Sequence, residues 1–81
     1  MEDRYLTLYE VISVIRFNQL IRVYCWSTEK ELYYGTCSEL YDNKRVMDKI
    51  QSRIVNLVEA DEDLINIYVI ESKKWVDMKV I

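Results

Sequence analysis

The stretch Leu20–Leu40, LIRVYCWSTEKELYYGTCSEL, constrains the fold more than any other part of the chain. Leu20–Trp26 alternates in the manner of a strand, Ser27–Glu31 is a polar break, and Leu32–Gly35 returns as a second strand. Because no Asn-Gly or Asp-Gly pair marks a tight primed turn, we expect a four-residue loop at Thr28–Glu31. The stretch therefore predicts a β-hairpin.

This loop length implies a register for the hairpin, with Cys25 opposite Tyr34 and Val23 opposite Thr36. Since residues two apart in a strand share a face, the register sorts the side chains into two sets. One face carries Ile21, Val23, Cys25, Leu32 and Tyr34. The other face carries Arg22, Tyr24, Trp26 and Tyr33.

Two capping boxes predict where helices begin. Thr7-Leu8-Tyr9-Glu10 places a helix at about Leu8–Arg16, although several of its residues are β-branched and prefer strands. Thr36-Cys37-Ser38-Glu39 opens a second helix after Gly35. The pair Asp42-Asn43 favours a break in that helix, with a restart capped by one of the two residues.

A second hairpin is predicted from Ile54–Glu59 and Leu64–Ile70, joined across Ala60–Asp63. Opposing Glu59 to Leu64 leaves both faces of this hairpin largely apolar, whereas a sheet with one solvated face alternates more cleanly. These strands are therefore covered on both sides or take part in a subunit interface. Trp75–Ile81 alternates again and forms either a fifth, edge strand or a tail that covers the sheet.

The α-β-β-α-β-β order predicts a single α+β domain over residues 1–81, with an antiparallel four-stranded sheet and two helices packed on one face. The 81 residues and 51% hydrophobic content suit one modest core. The sequence holds no apolar run of the roughly 18 residues that a membrane helix needs and no signal peptide pattern. We therefore expect a cytoplasmic protein that does not enter a membrane.

The residue counts exclude most catalytic chemistry. The chain has no His, one Gly and two Cys, which removes histidine-dependent nucleophiles, phosphate loops and structural zinc sites. The predicted register holds Cys25 and Cys37 too far apart for a disulfide. Only carboxylates around the second turn remain as catalytic candidates, and the sequence shows no pocket for them. We expect no enzyme activity, no cofactor and no metal.

The outward set Arg22, Tyr24, Trp26 and Tyr33 is the candidate partner-binding site. Trp, Tyr and Arg are enriched in binding hot spots, and aromatic side chains on a sheet also stack single-stranded bases. Three interpretations of this face stay open: a cover formed by the C-terminal segment, a homodimer contact, and a site for a ligand or partner.

The segment Glu31-Leu-Tyr-Tyr-Gly-Thr-Cys-Ser-Glu-Leu40, preceded by a strand and a short capped helix, resembles small uncharacterised proteins encoded by phages and mobile elements of Gram-positive bacteria. The resemblance covers about ten residues in motif, and it carries no catalytic residues. It implies a small cytoplasmic accessory protein.

Together these features predict a non-catalytic protein-interaction or regulatory module that forms a homodimer. The alternative is a single-stranded nucleic-acid-binding protein that uses the aromatic sheet face. The net charge of −3 argues against nonspecific duplex binding, which needs a concentrated positive surface.

Overall fold

The computed structural model describes residues 5–70. Its elements in chain order are α1 (Leu8–Ile12), β1 (Leu20–Cys25), β2 (Glu31–Thr36), α2 (Cys37–Asp42), α3 (Lys44–Ile50), β3 (Val55–Asp61) and β4 (Leu64–Val69). The predicted α+β class and the two hairpins are confirmed. The segment Trp75–Ile81, predicted as a fifth strand or a covering tail, lies outside the described residues.

The sheet is mixed, so the prediction of a wholly antiparallel sheet is wrong. Its strand order is β2-β1-β4-β3, and the central pair, β1 and β4, is parallel. Each hairpin is antiparallel within itself. The parallel pair arises because residues 37–54, which contain α2 and α3, carry the chain back along the sheet before β3 begins. Parallel neighbours need a crossover of about this length.

The first hairpin forms in a register that differs from the predicted one. Val23 lies opposite Tyr33, and Arg22 lies opposite Tyr34. Because residues paired across two strands project to the same side of the sheet, Tyr33 shares the face of Val23 and Tyr34 shares the face of Arg22. The predicted faces of the two tyrosines are therefore exchanged. The predicted pairs are wrong: Cys25 with Tyr34, and Val23 with Thr36.

Two local irregularities cause this difference. Glu29 adopts a φ of 60°, and its N–H donates to the Cys25 carbonyl at 2.8 Å, so the chain turns earlier than expected. Leu32 is an extra residue in β2, because β2 advances two residues where β1 advances one. A β-bulge of this kind changes the face of the side chains beyond it.

The second hairpin turns more tightly than predicted. Asp61 lies opposite Leu64, and Glu59 lies opposite Asn66 instead of Leu64. This is a shift of two residues, which leaves each side chain on its predicted face. A second irregularity between Val55 and Leu57 turns Val55 toward Val69 and the core.

Glu62 sits in this tight turn with a φ of 55°, a conformation in which any side chain costs free energy. We expect Glu62→Gly to raise the free energy of unfolding by about 0.5–1 kcal/mol, because glycine adopts a positive φ without a steric penalty. Urea denaturation followed by circular dichroism measures this difference. Asp63→Gly, in the same turn but at a negative φ, is the matched control. A stabilisation of equal size in both variants would contradict the explanation.

The helices begin where the capping boxes predict. The hydroxyl oxygens of Thr7 and Thr36 accept from the backbone N–H groups of Glu10 and Glu39 at 3.2 and 3.1 Å. Asn43 restarts the second helical segment as α3, since its side-chain oxygen accepts from the Val46 N–H at 3.2 Å.

The first helix ends at Ile12 instead of the predicted Arg16. The β-branched residues that follow favour helix only weakly. In addition, the Ser13 hydroxyl donates to the Glu10 carbonyl at 2.6 Å, which competes with continuation of the helix. These two effects explain why α1 is a single short turn beyond its cap.

The core lies between the three helices and one face of the sheet. Its buried members come from α1, β1, α2 and β4, together with Met47 and Ile50 of α3. Within residues 5–70 no polar or charged side chain is buried. The fully buried side chains are Leu8, Ile12, Ile21, Val23, Cys37, Leu40, Ile67 and Val69. The helices contribute their buried residues to one core, but they number three instead of the predicted two, so the element order is α-β-β-α-α-β-β.

Candidate functional site

The opposite face of the sheet carries the candidate site, and we call it the open face. Leu20, Arg22 and Tyr24 of β1 define its central line, because their neighbours in β1 project into the core. Within residues 5–70 the helices contribute to the core on the other side of the sheet. Strand register places three rows across the open face: Thr36-Leu20-Leu64-Asp61, Tyr34-Arg22-Asn66-Glu59 and Glu31-Tyr24-Tyr68-Leu57.

Three aromatic rings form a connected cluster at one end of the open face. Tyr24 and Tyr68 lie directly opposite each other in the parallel pair, with ring centroids 5.3 Å apart and planes at 17°. The Trp26 ring stands at 89° to Tyr68, with centroids 5.7 Å apart. Such stacked and edge-to-face contacts hold aromatic side chains in fixed orientations. Trp26 nevertheless remains 47% exposed.

Arg22 is held in the middle of the open face by three neighbours. Its Nε lies 3.1 Å from the Glu31 Oε1 in an ion pair, and its Nη1 donates to the Tyr24 hydroxyl at 3.2 Å. The guanidinium carbon also lies 4.7 Å from the centroid of the Tyr34 ring, within the range of a cation–π contact. The positive charge of Arg22 is therefore largely engaged inside the protein.

The predicted site is assembled in part. Arg22, Tyr24 and Trp26 share the open face, whereas Tyr33 points to the core side and packs against it. The Tyr33 hydroxyl donates to the Thr36 carbonyl at 2.7 Å. Burial, together with the nearby Glu39 carboxylate, raises the pKa of Tyr33 to about 12. The open face carries Tyr34 in its place, with half of its surface exposed.

Tyr68 is the site residue that sequence analysis missed. It belongs to the open face only because β4 pairs with β1, and no local pattern in the sequence reports that pairing. Burial and the adjacent Glu59 carboxylate raise the pKa of Tyr68, with Tyr24 adding to the effect. The Tyr68 hydroxyl is hydrogen-bonded to the Glu59 carboxylate, which contributes to this increase.

The open face is acidic. Its rows contain one guanidinium, that of Arg22, and the three carboxylates of Glu31, Glu59 and Asp61. One of these carboxylates is paired with Arg22, which leaves an excess of negative charge. A surface of this sign attracts cationic partners and repels phosphates.

A recess of about 560 Å³ opens beside the aromatic cluster, lined by Tyr24, Cys25, Trp26, Glu29 and Tyr68. Burial alone would raise the pKa of the Cys25 thiol, but hydrogen bonds with Ser27 and Thr28 outweigh it and lower the pKa to about 7. The Cys25 Sγ lies 3.5 Å from the Ser27 Oγ. Cys37 is also a free thiol, but burial raises its pKa.

A second aromatic cluster, here called the helical patch, lies on the helix side of the molecule and consists of Tyr9, Phe17 and Tyr41. The Tyr41 ring makes edge contacts with the other two rings at centroid distances of 6.2 and 5.7 Å. Phe17 is 69% exposed. Arg16 and Asp42 border the adjoining recess, so the patch has no net charge.

No constellation of the described residues suggests catalysis or metal binding. No group of three or more Cys, Asp or Glu side chains within residues 5–70 is arranged to hold a metal ion. In the same part of the chain, no helix is both long and apolar enough to cross a membrane.

Comparison with known proteins identified no relative of this chain. No protein-family model, curated protein or solved structure matches the chain. The resemblance to proteins of phages and mobile elements stays a prediction.

Proposed function

We propose that this chain is a small non-catalytic protein-interaction module that binds its partner with the open face. The aromatic cluster of Tyr24, Trp26 and Tyr68 carries this proposal. Its rings are oriented by one another before a partner arrives, so little conformational entropy is lost on binding. Exposed Trp and Tyr beside an Arg are the residue types that dominate interface energetics.

A single-stranded nucleic acid is the alternative partner, because stacked bases would also suit exposed aromatic rings. The negative charge of the open face makes a single-stranded nucleic acid a weaker candidate than a protein partner. Single-strand binders line their aromatic platforms with a positive groove, whereas the open face surrounds Arg22 with Glu31, Glu59 and Asp61. Phosphates would meet net repulsion on this surface.

Photo-crosslinking tests the proposal in cells that carry the gene. We expect p-benzoylphenylalanine at position 34, on the open face, to yield a discrete adduct with another protein. Trp26→Ser should abolish that adduct, because it removes the exposed indole while leaving the core unchanged. The matched control places the same group at position 9, since Tyr9 and Tyr34 are almost equally exposed, at 49% and 50%. Position 9 lies in the helical patch, so it should crosslink at most a second copy of this chain and should not give the position 34 adduct.

The outcomes of this experiment separate the candidates. An adduct from position 34 that persists in the Trp26→Ser variant, or the absence of any adduct, would overturn the proposal. A position 34 adduct that nuclease removes would favour the nucleic-acid alternative. That alternative also requires an oligonucleotide to quench Trp26 fluorescence in a salt-dependent manner.

We also propose that the chain forms a homodimer, through a contact separate from the open face. The helical patch suits a second copy, because exposed Phe17 is apolar and the charges of Arg16 and Asp42 balance. Light scattering should then give twice the mass of the 9.8 kDa chain, and Phe17→Ser should halve it while Trp26→Ser leaves it unchanged. A mass of one chain at high concentration would remove the homodimer. A cytoplasmic role as an accessory protein of a phage or mobile element rests on the sequence alone.

A further inference from the structure

We infer that the recess beside Trp26 binds a cationic side chain, arginine or lysine, presented by a basic segment of the partner protein. The inference rests on the proposed function, since it names the chemistry that the open face would recognise. It goes further in assigning a ligand to the recess itself.

The aromatic walls supply the first reason. Tyr24 and Tyr68 are stacked on each other, and Trp26 stands almost perpendicular to Tyr68, so three aromatic rings in two orientations line the recess. A cation within about 6 Å of such a ring face is attracted by the ring quadrupole, and Trp is the strongest of these acceptors. Of the three rings that line the recess, Trp26 is therefore the best suited to a cation, and its side chain is partly exposed.

The open face already contains one interaction of this kind. The Arg22 guanidinium lies 4.7 Å from the Tyr34 centroid and pairs with Glu31. Within the protein, an aromatic ring face and a carboxylate thus bind the same cation. The recess repeats this combination with Trp26 and Glu29, and its lining within residues 5–70 contains no cation.

Charge in the recess supplies the second reason. Glu29 is its carboxylate, and no Lys or Arg is among its described lining residues. The positive φ of Glu29 follows from the turn that ends β1. Lys30, the next residue along the chain, is exposed and does not line the recess.

A pair of small probes tests the inference directly. The chain has two tryptophans, so a Trp75→Phe variant leaves Trp26 as the only indole reporter. We expect N-acetyl-arginine methylamide to change Trp26 fluorescence saturably in the millimolar range. N-acetyl-citrulline methylamide has nearly the same shape without the charge, and we expect it to bind at least ten-fold more weakly.

Two charge-removing variants identify the carboxylate involved. Glu29→Gln should weaken arginine binding about five-fold and leave citrulline binding unchanged. Glu62→Gln removes the same charge from a turn outside the recess, and it should leave both affinities unchanged. Glu29 is exposed, so neither substitution touches the core.

The outcomes distinguish failure of this inference from failure of the proposed function. Equal binding of the two probes, or saturation by neither, overturns the cation site, even where the position 34 adduct shows that the open face binds a protein. An unchanged affinity in Glu29→Gln also overturns it. Conversely, selective arginine binding without any position 34 adduct leaves the recess chemistry standing and removes the proposed function.

Discussion

Replacing Gly35 by alanine should lower the free energy of unfolding by about 2–3 kcal/mol. Gly35 is the only glycine of the chain, and its φ of +155° is rarely adopted by residues with a side chain. A Cβ atom at this position would lie 2.6 Å from the Tyr33 hydroxyl oxygen and 3.1 Å from a Glu39 carboxylate oxygen. Both neighbours are held in place, by the Thr36 carbonyl and by the capping box.

A double-mutant cycle separates the two causes. In a Tyr33→Phe background the hydroxyl is gone, so we expect Gly35→Ala to cost only about 1–2 kcal/mol, mainly for the unfavourable φ. Urea denaturation of the four proteins, followed by far-ultraviolet circular dichroism, gives the coupling energy. The same cost in both backgrounds would exclude the contact with the Tyr33 hydroxyl. Ser38→Ala, at an exposed position in α2, is a control that should change stability by less than about 0.5 kcal/mol.

Val23→Ala should cost about 2–3 kcal/mol, whereas Val58→Ala should cost less than about 0.5 kcal/mol. Both substitutions remove the same two methyl groups. Val23 and Val58 also flank Ile67 in one row on the core face of the sheet. Val23 lies on central strand β1 and is fully buried, whereas Val58 lies on edge strand β3 and is 46% exposed. The difference between the two costs therefore measures how far the helices bury each of these two positions.

Denaturant midpoints for these two variants also test the strand order. If β3 occupied the centre of the sheet, Val58 would be buried and its substitution would cost as much as that of Val23. A loss of 2–3 kcal/mol is a large fraction of the roughly 5 kcal/mol that stabilises a domain of this size, so the difference is easily resolved. Similar costs at both positions would contradict the β2-β1-β4-β3 order.

From the sequence, only the site residues that follow the alternation of β1 could be assigned to one face. Arg22 and Tyr24 alternate within β1, and Trp26 continues the same two-residue period, so their common face follows from strand geometry alone. Tyr33 was misplaced because the extra residue Leu32 and the early turn at Glu29 changed the pairing by an odd number of residues. The sequence carries no local signal for such a bulge, since its cost is offset by packing elsewhere.

The sequence by itself determined the local elements of this protein. Capping boxes at Thr7 and Thr36 start their helices with bonds that span only three residues, and the apolar residues of β1 select its buried face. The tertiary structure decided the parallel pairing of β1 with β4, the two bulges and the presence of Tyr68 beside Tyr24. The parallel pairing and the contact of Tyr68 with Tyr24 join strands that are more than forty residues apart in the chain, whereas each bulge lies within one hairpin. These features depend on how both hairpins bury their apolar faces against the same helices, which no short stretch of sequence specifies.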